Sequence, residues 1–101
     1  MCLALIAVNQ HPLYPLIILS NRDEYSGKDL KEHGTWLGVN KSNQFALITN
    51  FRNPDLFKPQ KKSRGLLTSS FLIECPKDYL GFLEKIKRDS DEYNKFNLIV
   101  G

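Results

Sequence analysis

Cys2 is the first residue whose type and position could do chemistry, because it directly follows Met1. Removal of Met1 would leave a cysteine with a free α-amino group, so that one residue carries both a nucleophile and a base. The α-amine, whose ordinary pKa is about 8, can accept the thiol proton while the sulfur attacks a carbonyl carbon. The alternative interpretation of Cys2 is a small buried residue of a strand.

Polar side chains also stand directly after two apolar runs of the chain. The block Asn21-Arg22-Asp23-Glu24 follows the second run, and Asn50 follows the fourth. Arg22 could lower the pKa of a nearby thiol, and Asp23 could hold the α-amine. The side-chain amide of Asn50 could stabilise an oxyanion. The alternatives are a salt-bridged turn for the block and an ordinary loop asparagine for Asn50.

Two short apolar runs must position Cys2 and the polar block. Residues 2–8 and 16–19 are long enough for strands, too short for typical helices, and joined by a polar link with two prolines. They predict an antiparallel hairpin, in which the start of the first strand lies beside the end of the second. Since neither run alternates apolar with polar residues, we expect both faces of this sheet to be covered.

Three further strands and two helices complete a predicted order of ββββααβ. The later strands are expected at residues 35–39, 45–49 and 96–100, and the helices at about 64–74, with Ser63 as its cap, and about 77–89. This order predicts an α+β fold, a layered unit with consecutive helices. We expect a single, incomplete domain over residues 1–101, without internal repeats or linkers.

Composition and charge exclude several classes of protein. The chain has 101 residues, of which 42% are hydrophobic and 25% are charged, and only two cysteines. These values exclude a disordered chain and a disulfide scaffold. The net charge of +3 arises from the loop Lys58–Arg64, which contains four basic residues and no acid. This loop has two possible interpretations, a solvated loop and a contact site for phosphate or carboxylate, whereas the sequence does not support nucleic-acid binding.

No segment indicates a membrane span, a metal site or a cofactor. The first apolar run ends at Val8, well short of the roughly 20 residues of a spanning helix, and no basic region precedes it. We therefore expect a cytoplasmic protein with reduced thiols and no membrane insertion. Cysteine and histidine show no metal-ligand spacing, so no metal and no cofactor is expected, and His11 and His33 are predicted at the surface.

Six short motifs occur in one order along the chain. They are Met1-Cys2, Asn21-Arg22-Asp23-Glu24, Gly34-Thr35-Trp36-Leu37-Gly38-Val39, Ala46-Leu47-Ile48-Thr49-Asn50-Phe51-Arg52, Ser63-Arg64-Gly65 and Tyr93-Asn94-Lys95-Phe96-Asn97-Leu98. Together they resemble the NRDE protein family, also called the transport and Golgi organisation protein 2 family. The likeness runs along nearly the whole chain.

The resemblance implies an N-terminal-nucleophile-hydrolase-like fold, a four-layer αββα sandwich, of which this chain would form about the N-terminal half. It also implies an amidohydrolase-like protein with Cys2 as the nucleophile after removal of Met1. Arg22 and Asp23 would then tune and orient the nucleophile, and Asn50 would hold the oxyanion. The partner would be a small-molecule amide.

The alternative is a non-enzymatic carrier of the family that handles haem or an acyl-CoA-like lipid, or else an inactive fragment. Asn21, Glu24, Trp36 and Arg52 stand in the same motifs and are the expected ligand contacts, and the loop Lys58–Arg64 would meet carboxylate or phosphate groups. Family members are well over twice this length. They also carry a longer, aromatic stretch after the position of Glu24, which would form one wall of the pocket.

Overall fold

The computed structural model describes residues 3–21, 33–51 and 53–101. The strands are β1 (Ala4–Val8), β2 (Leu16–Ser20), β3 (Leu37–Val39), β4 (Phe45–Asn50) and β5 (Phe96–Val100), and the helices are α1 (Gly65–Glu74) and α2 (Tyr79–Arg88). Short 3₁₀ turns at Pro54–Leu56 and Ser90–Glu92 lie before α1 and after α2. The predicted order ββββααβ and the α+β class are therefore confirmed.

β1 and β2 form the predicted antiparallel hairpin. Ala4 lies opposite Ser20, and one position further along Leu3 and Asn21 are joined by hydrogen bonds. The backbone N–H of Asn21 donates to the Leu3 carbonyl oxygen at 3.1 Å, and the Asn21 side chain accepts the Leu3 N–H. The start of β1 and the end of β2 therefore lie side by side, as the sequence predicts.

The expectation that both faces of this hairpin are covered is wrong for the part of the chain that the structure describes. Leu5 and Leu19 are opposite each other on one face and are 59% and 62% exposed. Ile6 and Val8, on the other face, are 38% and 56% exposed. The hairpin is a separate two-stranded sheet, and the helices pack instead on the second sheet.

The second sheet contains three strands, with β4 between β3 and β5. Leu47 in the middle of β4 pairs with Leu37 of β3 and with Ile99 of β5. Since successive side chains of a strand point to opposite faces, Ala46 and Ile48 share one face and Leu47 lies on the other. All three are at most 1% exposed, so the central strand is buried on both faces.

The two helices cover the face of β4 that carries Ala46 and Ile48. The buried side chains that the helices contribute are Leu67, Phe71, Phe82 and Ile86. The Phe71 ring lies edge-to-face against the rings of Phe82 and Tyr79, with centroids 5.2 and 5.4 Å away. This geometry is the preferred one for aromatic pairs and gives the core a specific packing.

The helix ends differ slightly from the predicted ones. Arg64, rather than Ser63, occupies the cap position of α1, and no side-chain hydrogen bond caps this helix. Its C-terminal end is at Cys75, which has a left-handed φ of 51°, a common way to end a helix. α2 begins after Asp78, whose side chain accepts the backbone N–H of Gly81, as a normal cap does.

Two glycines allow the segment before β3 to approach the start of α1. A Cβ atom at Gly34 would lie only 2.6 Å from the carbonyl carbon of Gly65. The adjacent Thr35 N–H donates to the Gly65 carbonyl oxygen at 3.2 Å. This backbone contact fixes the start of α1 relative to the three-stranded sheet.

We expect Gly34→Ala to lower the free energy of unfolding by about 1–3 kcal/mol, because the new methyl group overlaps backbone that cannot move independently. Gly38→Ala is the matched control. Its methyl group would meet the tip of the Leu72 side chain, 2.5 Å away, which can rotate aside, so the loss should be smaller. Urea unfolding followed by circular dichroism measures both variants. Equal losses would contradict a special role for the Gly34–Gly65 contact.

Candidate functional site

A cavity of about 430 Å³ opens beside the end of β4. Its lining residues are Asn50, Phe51, Asn53, Pro54, Leu56, Phe57, Arg64, Asn94 and Lys95. Phe51, Leu56 and Phe57 present exposed apolar side chains there, and Arg64 and Lys95 supply two positive charges. No acid occurs among the lining residues that the structure describes. The volume lies within the range of about 300–1,000 Å³ that is typical of small-molecule sites.

The loop Lys58–Arg64 reaches the cavity through Arg64 and is anchored by Asn94. The Asn94 side chain accepts the Lys58 N–H at 2.8 Å and donates to the Lys58 carbonyl oxygen at 2.7 Å. Asn94 is only 8% exposed, so both arms of a buried amide are paired with backbone. This paired contact holds the start of the basic loop.

Two lysines of the same loop take part in its anchoring. Lys61 Nζ donates to the Tyr93 carbonyl oxygen at 3.3 Å, and Lys62 forms an ion pair with Glu92 at 2.6 Å. The hydrogen bond to Glu92 raises the pKa of Lys62, and burial raises the pKa of Tyr93. Because Lys61 and Lys62 both contact the segment at residues 92–93, part of the basic cluster has a structural role.

The carbonyl oxygen of Lys95 joins the other parts of the cavity wall. It accepts the backbone N–H of Phe51 at 3.1 Å and the Arg64 Nη1 at 3.0 Å. The ammonium nitrogen of Lys95 lies 5.9 Å from the centroid of the Phe51 ring, within the range of a cation–π contact. Both cations and the aromatic wall are thus fixed to the end of β4.

Asn50 is the last residue of β4, opposite Phe96, and it lines the cavity. Its Oδ1 atom is buried and has no hydrogen-bond partner within the described part of the chain. A buried polar atom without a partner costs about 1–3 kcal/mol of stability, and such atoms are often found at functional sites. Asn50 therefore combines the position that the sequence predicts with a feature that packing alone does not explain.

The structure describes three of the eight predicted site residues. Asn21 lies at the end of the hairpin, Trp36 packs against the hydrophobic core, and only Asn50 lines the cavity. The other five lie outside the described residues; they are Cys2, Arg22, Asp23, Glu24 and Arg52. Their predicted roles stay predictions.

Sequence reasoning missed most of the residues that line the cavity. Asn94 acts through Lys58, 36 positions earlier, and no local pattern reveals such a contact. Phe51, Leu56 and Phe57 do carry a signal, since they are apolar residues in a polar, proline-containing loop without strand or helix periodicity. That combination could have indicated an apolar surface.

His11 and His33 are exposed, as predicted. Within residues 3–21, 33–51 and 53–101, no three His, Cys, Asp or Glu side chains lie close enough together to hold a metal ion. No helix of those segments is both long and apolar enough to cross a membrane.

Residues 1–27 and 25–101 of the chain match the model of the family described as Transport and Golgi organisation 2. The human Transport and Golgi organization protein 2 homolog is 33% identical over 125 aligned positions, which cover 99% of this chain and 45% of the human protein. The bovine homolog is 32% identical with the same coverage. An uncharacterized protein of Saccharomyces cerevisiae is 31% identical, covering 95% of this chain and 36% of its own length.

The match contains a break at residues 25–27, where its two segments overlap. The alignment with the human protein spans 125 positions, whereas this chain contributes about 100 residues to it. About 25 positions of that relative therefore have no counterpart here. The break directly follows Glu24, after which family members are expected to carry a longer stretch than this chain.

The family match and the identities to the relatives extend over nearly every residue of this chain. The chain spans a little under half the length of the human and bovine relatives. On this basis the chain belongs to the Transport and Golgi organisation 2 family.

Proposed function

We propose that this chain binds an amphipathic acid, a molecule with an apolar body and a carboxylate or phosphate head, in the cavity beside β4. The observation that carries the proposal is the combination, among the described residues of one lining, of exposed apolar side chains with the side chains of Arg64 and Lys95 and without an acid. Phe51, Leu56 and Phe57 would bury the apolar body, while Arg64 and Lys95 would attract the head group.

The lining favours an acyl-CoA-like lipid over haem as the bound acid. Haem iron is normally held by a His, Cys, Met or Tyr side chain. None of these residue types occurs among the nine residues that line the cavity in the described part of the chain. An acyl chain needs no such ligand, because apolar contact alone stabilises it.

Asn50 would add a directional contact to this binding. Asn50 lines the cavity at the end of a strand that is buried on both faces. A carbonyl group of the ligand, such as that of a thioester or amide, is a suitable acceptor for the Asn50 amide nitrogen. The same contact would hold an oxyanion if the carbonyl were attacked.

For this binding function we expect Lys95→Gln to weaken dodecanoyl-CoA about 3- to 10-fold, because one cation facing the head group is lost at a partly solvated rim. Lys87→Gln is the matched control, since Lys87 is an exposed lysine in the last turn of α2 and outside the lining. Isothermal titration calorimetry at low and high salt measures both, and salt should reduce the difference. Equal dissociation constants for the two variants, or no binding by the unsubstituted chain, would contradict the proposal.

Amide hydrolysis by Cys2 is a second candidate function, favoured by the pairing at the end of the hairpin. Leu3 and Asn21 exchange hydrogen bonds there. In the sequence Cys2 precedes Leu3 and Arg22 follows Asn21, and consecutive Cα atoms are about 3.8 Å apart. In the proposed site the Arg22 guanidinium would lower the pKa of the Cys2 thiol.

In the hydrolytic mechanism Cys2 Sγ would attack the amide carbonyl carbon, and the α-amine would take the thiol proton. Asn50 would stabilise the oxyanion, and Asp23 would orient the α-amine. Collapse of the tetrahedral intermediate breaks the C–N bond, and the leaving amine takes the proton from the α-ammonium. Water then hydrolyses the thioester, which releases the carboxylic acid and restores the thiol.

The hydrolytic candidate predicts that the mature chain lacks Met1 and that Cys2 reacts faster than Cys75 with a mild alkylating reagent. Cys75 is a free, half-buried cysteine at the end of α1 and serves as the internal reference. Cys2→Ala should abolish hydrolysis of dodecanoylglycine, whereas Cys75→Ser should retain it. Intact-mass analysis and a turnover assay measure these outcomes. A retained Met1 or equal labelling of the two thiols would rule out this mechanism, while binding of dodecanoyl-CoA that survives in Cys2→Ala supports the carrier.

A further inference from the structure

We infer that the β1–β2 hairpin is an interaction surface, and that its occupant is the additional part of the family's polypeptide, the part that relatives carry outside the region they share with this chain. The contact would form within one polypeptide or between two. This inference is independent of the proposed function, because it uses no residue of the cavity.

One face of the hairpin carries a contiguous apolar patch. Leu5 and Leu19 are cross-strand partners, and Leu3 lies two residues before Leu5 on the same face. Each of the three side chains is more than half exposed. Single exposed leucines are normal, but a contiguous cluster of this kind typically marks a contact with another surface.

The opposite face of the hairpin is apolar as well. Ile6, Val8 and Leu16 lie on it and are exposed, and Ile18, opposite Ile6, is half-buried. An antiparallel sheet with one face in water normally shows polar residues on that face. A strand pair that is apolar on both faces is therefore built to be covered on both sides.

The chemistry of the hairpin also defines its partner. No Asp, Glu, Lys or Arg occurs from Leu3 to Asn21. In the described residues its two strands pair only with each other, so each strand has an outer edge without a neighbouring strand. Neither edge carries the lysines that usually protect exposed edges. An isolated two-stranded hairpin is at best marginally stable in water. The partner must therefore be an apolar, structured layer rather than a charged peptide or an anionic surface.

Comparison with the relatives indicates which polypeptide provides this layer. The family match includes the hairpin, since it covers residues 1–27. The human relative extends well beyond the region that it shares with this chain. That region covers 45% of the human protein. The three-stranded sheet is already covered on one face by α1 and α2, whereas the hairpin has no such layer in the described part of the chain. The additional residues of the relatives are therefore the polypeptide that we assign to this surface.

A second copy of the chain fits the hairpin less well. Two copies related by a twofold axis would bury one face of each hairpin against the other and leave the second face in water. A polypeptide longer than this chain can supply a layer on each side. The two-sided exposure therefore favours the additional family segment.

The test is co-expression of this chain, carrying an affinity tag, with the part of the human relative that lies outside the aligned region. We expect a stable 1:1 complex in size-exclusion chromatography with light scattering, and slower amide hydrogen exchange in β1 and β2. The double variant Leu5→Lys/Leu19→Lys should lose the complex. Ile73→Lys, at an exposed apolar side chain of α1, is the control and should keep it.

Circular dichroism and urea unfolding of each variant show whether the α-helical core remains folded, which is expected because Leu5 and Leu19 lie outside that core. A complex that survives in Leu5→Lys/Leu19→Lys would overturn the inference. So would a soluble human segment that does not bind this chain. A homodimer of this chain alone that dissociates in the double variant would assign the surface to a second copy instead.

Discussion

Removal of both faces of β4 from water is the constraint on which the rest of the structure depends. Ala46 and Ile48 require cover on one side and Leu47 on the other, and all three are buried. α1 and α2 meet the first requirement with interlocking aromatic and aliphatic side chains. Since protein interiors are close-packed, this arrangement leaves β4 little freedom, and Asn50 at its end has a defined place.

The cavity depends on that fixed strand end and on a few backbone hydrogen bonds. The Lys95 carbonyl oxygen ties Arg64 and Phe51 together, and Asn94 holds Lys58 by both arms of its amide. These contacts use backbone groups that a loop must pair in any case. The apolar side chains beside them are exposed. The polar groups of this region therefore fix the conformation of the loop, and its apolar side chains form a surface that a ligand could cover.

The sequence predicts the elements of this fold well because local periodicity determines them. Apolar runs and alternation identify the hairpin, the strands and α2, and strand-end reasoning identifies Asn50 as a site candidate. The cavity itself is beyond such reasoning, because Asn94 and Lys58 are 36 positions apart and meet only in the folded chain. The exposed hairpin has a different cause: apolar faces indicate that a strand needs cover, but they do not show what supplies it.

The two candidate functions differ in what they require of the hairpin. Binding of an amphipathic acid uses a lining between Asn50 and Lys95, which the described part of the chain holds in place by its own hydrogen bonds. Hydrolysis would need Cys2 to be fixed within a fraction of an ångström relative to Arg22 and Asn50, because misplacement of catalytic groups by about 1 Å costs about 100-fold in rate. A two-stranded sheet that is exposed on both faces does not impose such precision. Of the two proposed functions, binding therefore requires only contacts within the described part of the chain, whereas hydrolysis would also depend on a layer that covers the hairpin.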